Sequence, residues 1–387
     1  MAGAALLTVG PDAGAFFFPK LRTSTWSLAM QRADLLCTPV EHYDIKTVNV
    51  VPMISMMEKT AFQARNLARA AGIVDEMIRD QDCGIILTIA GSLVSAGQKY
   101  ILLDMIRSNM IDVIVSTGAN IVDQDFFEAL GFRHYQGTPF SADEELRERH
   151  IDRIFDTYID EDELRVCDET VRQIADGIEP RAYSSREFIR EMGRYLEEHS
   201  PQSESVVFEC YRHRIPIFVP AFSDCSAGFG LVFHQVSRQR QGCPYVSIDS
   251  VADFRELTQL KIESGVTGLI MLGGGVPKNF AQDIVVSAEF LGYDVEMHRY
   301  AVQLTVADER DGALSGSTLR EANSWGKVDL AREQMVYGEI TTTLPLVAGY
   351  VYHKGGWQER RKRKFDDVFS RPSTLRADGY ADIGMNT

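Results

Sequence analysis

Short apolar runs alternate with amphipathic stretches through the middle of the chain. Ile85-Ile86-Leu87-Thr88-Ile89 is apolar except for one threonine and rich in β-branched side chains, the pattern of a strand covered on both faces. Beyond it, Ile101, Leu102, Met105 and Ile106 fall at i, i+1, i+4 and i+5, one stripe of a helix. Val113-Ile114-Val115-Ser116 predicts a second strand, and Ile215 to Val219, Leu269 to Leu272 and Tyr300 to Thr305 predict three more. After Ser184 the chain reads as a helix: Ser184 and Glu187 form a capping box, and Phe188, Ile189, Met192, Tyr195 and Leu196 make one apolar face. Strands separated by helical stretches predict an α/β fold, a parallel Rossmann-like sheet with helices on both faces. No internal repeat interrupts that reading.

The ends read differently. Residues 1–34 form an N-terminal extension in which Phe16, Phe17 and Phe18 precede Pro19, an arm expected to pack on the body or on a neighbouring subunit. Residues 35–353 are expected to be one large domain. Residues 354–387 form a tail whose basic run, Arg360, Arg361, Lys362, Arg363 and Lys364, is expected to be a solvated helix or tail. The stretch from Asp143 to Glu163, rich in Asp, Glu and Arg, is expected to be a solvated helical face.

Composition narrows the function classes. With 387 residues, 45% of them hydrophobic, the chain is long enough for a large core. The net charge of -15 repels nucleic acid and anionic membranes and concentrates cations around the protein. The six cysteines include no Cys-x-x-Cys and do not cluster with the eight histidines, which excludes a disulfide framework and a zinc pattern. Free, scattered thiols fit a reducing cytoplasm. Met1 to Gly10 lacks the basic region of a signal peptide, and no apolar run approaches the roughly 18 residues of a membrane span. A soluble, cytoplasmic protein is expected.

In open α/β sheets ligands bind beyond the carboxyl ends of the strands, and four such places hold small or polar residues. They are Ile89 to Gly97, Ser116 to Asn120, Ala221 to Gly228, and Leu272 to Asn279 with its Gly273-Gly274-Gly275 run. Glycine lets backbone amides approach a phosphate closely. None matches the Gly-x-Gly-x-x-Gly fingerprint, and each alone reads as a tight turn rather than a ligand loop. Four on one sheet edge point to a nucleotide site. Asp123 and Asp125 can serve either a cofactor or an amine.

Glu321-Ala322-Asn323-Ser324-Trp325-Gly326-Lys327-Val328 is the most distinctive stretch. It reads either as a surface turn or as a nucleophile site. A lysine becomes nucleophilic when burial or neighbouring cations lower its pKa, Trp325 offers a face to a cationic amine, and Glu321 can bind an ammonium group.

The Ser-Trp-Gly-Lys run, preceded by Glu321, by Asp311-Gly312 and by Ser315-Gly316, resembles the active-site segment of deoxyhypusine synthase. The Gly-Gly-Gly-Val-x-Lys run at 273–278 and the Pro-Ala-x-x-Asp-x-Ser run ending at Ser226 match in the same order, and the likeness extends from about Leu35 to His353. The resemblance implies an NAD-dependent transferase that oxidises spermidine, holds an aminobutyl fragment as an imine on Lys327, passes it to an acceptor amine and then reduces the product. It implies cofactor contacts at Ser92, Ser95, Thr117, Gly118, Asp123, Asp224 and Gly274. Further cofactor positions fall at Val306, Ala307, Glu339 and Ile340, with Glu339 standing where the family has Asp. A homotetramer with sites across dimer interfaces is also implied.

Three positions depart from that family. Asn279 replaces its catalytic histidine, and asparagine cannot act as a general base near neutral pH. Phe229 and Leu314 stand where the family has polyamine-binding aspartates, Leu314 just beyond Asp311-Gly312. Each charge-assisted contact is worth roughly 1.5–3 kcal/mol, so recognition of a tri-cation is expected to change. The cofactor half and Lys327 are kept while the amine half is rewritten. Three readings stay open: a deoxyhypusine synthase-like transferase, a homospermidine-synthase-like enzyme with a small diamine acceptor, and an inert NAD-binding paralogue. A plain amine dehydrogenase is a further rival.

Overall fold

The computed structural model describes residues 31–376; the Phe16 to Phe18 arm lies outside them. Among the described residues the central sheet has six parallel strands: β1 (Gly84–Ile89), β2 (Val113–Ser116), β3 (Ile217–Phe218), β4 (Thr267–Leu272), β5 (Tyr300–Thr305) and β6 (Glu333–Tyr337). Their spatial order is β6-β5-β4-β1-β2-β3, the doubly wound arrangement in which strand order reverses between β1 and β4. All five expected strands form.

The apolar runs exist because both faces are covered. Ile85, Leu87 and Ile89 of β1, with Ile270 and Leu272 of β4, enter one core, and Ile86, Leu269 and Met271 enter the other, as the two-residue side-chain period requires. The first core is closed by helices α1 (Phe62–Arg79) and α2 (Lys99–Arg107), and it receives Phe188, Ile189, Met192 and Leu196. The second is closed by residues of the helices between Ser250 and Ser324.

The helices after α2 include α3 (Glu161–Gly177), α4 (Ser185–His199), α5 (Val206–His213), α6 (Ser226–Arg240), α7 (Gly275–Gln282), α8 (Leu319–Ser324) and α9 (Ile340–Lys354). Ser184 caps α4 as expected: its hydroxyl accepts from the Glu187 amide, and its own amide donates to the Glu187 carboxylate. Asp125 is wholly buried and accepts from Ser205 Oγ and from the Val206 and Val207 amides, which fixes the start of α5. Asp123 likewise accepts from the Ser226 amide at the start of α6, at 2.8 Å. Burial, with Asp168 and Asp224 nearby, pushes the Asp123 carboxyl up to about 7 despite that hydrogen bond.

Two expectations are corrected. The charged stretch Asp143 to Glu163 is not one helical face: after a short helix, Asp143–Glu148, it folds into an antiparallel hairpin of Ile151–Ile154 with Thr157–Asp160. Ile151 and Tyr158 bury there against Leu146, and Asp160 caps α3. Nor is the basic run at Arg360 simply solvated. The Arg360 guanidinium has no exposed surface; it pairs with Asp112, itself fully buried, and donates to the Cys83 and Asn109 carbonyls. Asp112 also accepts from the Ile85 amide, so the segment after α9 is tied to the amino end of β1. No helix among the described residues is long and apolar enough to cross a membrane.

Removing one partner of a buried ion pair strands the other. Arg360→Ala should therefore lower unfolding stability by about 3–5 kcal/mol in urea titration, while Arg361→Ala at the exposed neighbour changes it by less than about 0.5 kcal/mol. Asp123 gives a second expectation. With a folded pKa near 7 against 3.8 for a free Asp side chain, the folded protein binds more protons than the unfolded chain between those values. Its contribution to stability thus falls as pH rises from 4 to 7. Asp123→Asn keeps an acceptor for Ser226 and should raise the apo protein's Tm by about 2–5 °C at pH 8, with little change at pH 4; an unchanged or lower Tm at pH 8 contradicts this.

Candidate active site

Loops from the carboxyl ends of all six strands converge around the point where strand order reverses. Ala90, Thr117, Gly118, Asp224, Gly274 and Ser315 line a small cavity of about 170 Å³ there. A wider cavity of about 910 Å³ is lined by Ser92, Ser95 and Ala96 after β1, by Glu339 and Thr341 after β6, and by His42, Tyr43 and the hairpin. Ser95 Oγ donates to the Ser92 carbonyl, and Thr117 Oγ1 donates to the Gly91 carbonyl and accepts from Asn120. Glu339 is exposed and caps α9 through the Thr341 amide, with Ile340 beginning that helix. Val306 and Ala307 directly follow β5, Val306 exposed and Ala307 half-buried.

The glycines of these loops have different causes. A Cβ on Gly118 would meet Cys225 Sγ at 2.4 Å, and one on Gly274 would meet the Ser315 Cα at 2.6 Å; both serve close packing within the protein. Gly91, with φ of 71°, has nothing within 4 Å of where a Cβ would sit. The open space above β1 therefore lies at Gly91. Open glycine backbone, hydroxyls of Ser92 and Thr117 and an exposed carboxylate at Glu339 make a donor and acceptor set that fits a dinucleotide.

A third cavity, of about 660 Å³, holds the distinctive lysine. Helix α8 ends at Ser324, and the Gly326 amide donates to the Asn323 carbonyl while the Lys327 amide donates to the Ala322 carbonyl. This pair of bonds is a Schellman cap. It needs a left-handed residue, supplied by Gly326 at φ 73°, and it turns the chain so that Lys327 enters the cavity. Asn323 Nδ2 donates to the Val328 carbonyl and locks the turn. Trp325 is largely exposed, with its ring 5.3 Å from Lys327 Nζ.

Lys327 Nζ lies 2.6 Å from Asp283 Oδ1 and 3.2 Å from Asn279 Oδ1. Asn279 Nδ2 in turn donates to Asp283 Oδ2 at 2.7 Å. Asn279 is on α7 and Asp283 one turn later, so both face the same cavity. Gly312, Leu314, Glu321 and Trp325 line it too, and Phe254, Val286 and Phe290 give it apolar walls.

The segment from Gly312 to Ser317 is the wall between the lysine cavity and the small cavity: Leu314 and Ser317 face one, Ser315 the other. Lys278, fully buried, pins it by donating to the Leu314 and Ser317 carbonyls and to Ser317 Oγ. Burial, with Lys327 nearby, lowers the Lys278 amine to about 8 although Glu321 opposes this. Gln303 donates to the Gly273 and Ser315 carbonyls and fixes the same wall.

The sequence-selected residues thus fall into two neighbouring groups, with two exceptions. Phe229 is apart from the lysine cavity, on α6, exposed beside Val232, Phe233 and Val236. Asp123 is half-buried at the start of α6. Sequence reasoning passed over Asp283 and Lys278. The i, i+4 spacing of Asn279 and Asp283 on one helix was the available signal for Asp283. Cys225 shows no activated thiol: burial, and Asp123 after it, pushes it up to about 12.

A family model described as deoxyhypusine synthase matches residues 52–351. A deoxyhypusine synthase-like protein of Chlorobaculum parvum is 63% identical over 87% of this chain and 96% of its own length. One of Coxiella burnetii is 52% identical over 91% of this chain and the whole of its own. Among solved structures, one assigned as a deoxyhypusine synthase from Entamoeba histolytica shares the fold with a TM-score of 0.53 at 16% identity, covering 84% of this chain and 99% of that one. With the sheet order, the lysine turn and a match over most of its length, the chain belongs to the deoxyhypusine synthase family.

Proposed function

We propose that the protein is a cytoplasmic, NAD-dependent aminoalkyl transferase that moves an aminobutyl or similar group from a polyamine such as spermidine to an acceptor amine, with Lys327 as the covalent carrier. The single observation that carries this reading is the capped turn that sets Lys327 inside a cavity with apolar walls, beside Trp325, Asn279 and a carboxylate. A primary amine so placed can attack an imine carbon and exchange one amine for another. Glu321 at the rim and the Trp325 face hold the cationic substrate, and Asn279 orients its nitrogen.

Bound NAD would supply a hydride acceptor for oxidation of the donor amine and, once reduced, the hydride source for the product imine. Ser92, Ser95, Thr117, Gly118, Asp224 and Gly274 would hold it, together with Val306, Ala307, Glu339 and Ile340 at the ends of β5 and β6. Asp123 supports that side by fixing the start of α6. Lys278 and Gln303 keep the shared wall in place, so that the amine and the cofactor meet at a fixed boundary.

The acceptor is a protein lysine or a small diamine. Leu314, Phe254, Val286 and Phe290 make the amine side largely apolar, which favours the small diamine, as in a homospermidine-synthase-like reaction. The exposed apolar stripe of Phe229, Val232, Phe233 and Val236 supports assembly of copies, in the homotetramer the family implies.

Two experiments test this. Wild type incubated with NAD and a panel of polyamines, then trapped with borohydride, should gain the mass of one aminoalkyl fragment, and Lys327→Ala should gain none. No adduct with any amine, despite NAD binding, overturns the transferase. Gly274→Ala forces Ser315 outward, an overpacking of about 1–3 kcal/mol, and should weaken NAD binding by about tenfold or more; an unchanged Kd would place the cofactor elsewhere.

A further inference from the structure

Among the residues lining the lysine cavity, two carry carboxylates: Glu321, exposed, and Asp283, half-buried and in direct contact with Lys327. Leu314 supplies none. An amine that enters with its charge intact must pair that charge within a low-dielectric pocket, and Asp283 is the anion set among the apolar walls. In the resting protein this anion is already occupied. One of its oxygens holds Lys327 Nζ at 2.6 Å and the other accepts from Asn279 at 2.7 Å. The Asn279 carbonyl oxygen also faces Lys327, so the three side chains close a ring in which each polar group has a partner.

We propose that Asp283 is the binding carboxylate for one ammonium end of a linear diamine or polyamine, and that Lys327 occupies it until that amine arrives. The incoming ammonium exchanges with the lysine ammonium on Asp283. The displaced Lys327 amine is then freed from its carboxylate beside the bound substrate. The nucleophile thus becomes available when substrate is in place, and at rest it is held as an ion pair. This inference rests on the transferase reading for the use made of Lys327, but the amine site itself does not. Asn279 fits this arrangement because its amide serves both neighbours at once, donating to the aspartate and accepting from the lysine.

The exchange makes opposite predictions for its two partners, in a measurement that needs no turnover. Binding of 1,4-diaminobutane to the NAD-free protein is followed by calorimetry at low salt. Asp283→Asn should weaken binding by about tenfold or more, the loss of one charge-assisted contact, with Asp283→Glu recovering part of it. Lys327→Met should tighten binding about threefold or more, since it removes the competing cation. A structural ion pair with no part in recognition predicts no tightening. Unchanged affinity in Asp283→Asn, weaker binding in Lys327→Met, or no measurable binding by wild type each overturns the proposal. If the opposite shifts appear but wild type with NAD forms no borohydride adduct, the transferase reading fails while the amine site at Asp283 stands.

Discussion

The chemistry of the site depends on one contact, the pairing of Lys327 with Asp283. It requires two local structures that have no sequence in common. The Schellman cap at Gly326 reverses the chain at the end of α8 and delivers the lysine, and the end of α7 delivers Asn279 and Asp283 from the opposite side. Neither element is long, and both are held from below by the buried faces of β1, β4 and β5. A lysine on a free loop would find water instead of a carboxylate. Here the ion pair, the Asn279 amide and the Trp325 ring fix its position.

The second constraint is the wall between the cavities. Gly274 admits Ser315 to backbone contact, Gln303 holds the Gly273 and Ser315 carbonyls, and Lys278 buries a cation to hold those of Leu314 and Ser317. Burying a lysine is costly, and its lowered pKa expresses that cost. The Leu314, Ser315 and Ser317 carbonyls, fixed in this way, keep the segment close to the carboxyl end of β4, which is where a dinucleotide and an amine would have to meet in the proposed reaction. Of the departures from the family pattern, Asn279 and Leu314 line the lysine cavity and leave the wall intact, whereas Phe229 lies apart on α6.

Much of this was legible in the sequence, for physical reasons that differ by element. The central strands were readable because a parallel sheet covered on both faces demands near-continuous apolar runs. β6 was not, because at the sheet edge it buries only Met335 and Val336 between polar neighbours. The hairpin at 151–160 was hidden by the charges around its few buried residues, and Arg360 looked solvated because nothing local marks its partner, 248 positions away at Asp112. In the site, Lys327 and the glycine loops are contiguous motifs and were readable as such. Asp283 was not: its importance comes from a turn of α7 facing a turn after α8. Asp123 and Asp125 show the converse. They read as ligands for a cofactor or an amine, and in the fold both hold helix starts.

The central proposal is a hydride that is lent and returned around an imine on Lys327, and isotope tracing reads it most directly. The donor amine would be deuterated at the carbon that loses hydride and supplied with a catalytic amount of NAD and an acceptor diamine, with products followed by mass spectrometry and free NADH by absorbance. The redox-neutral transferase predicts deuterium retained in the product amine and no accumulation of NADH. Deuterium appearing in free NADH in step with aldehyde release would contradict it and identify a dehydrogenase instead.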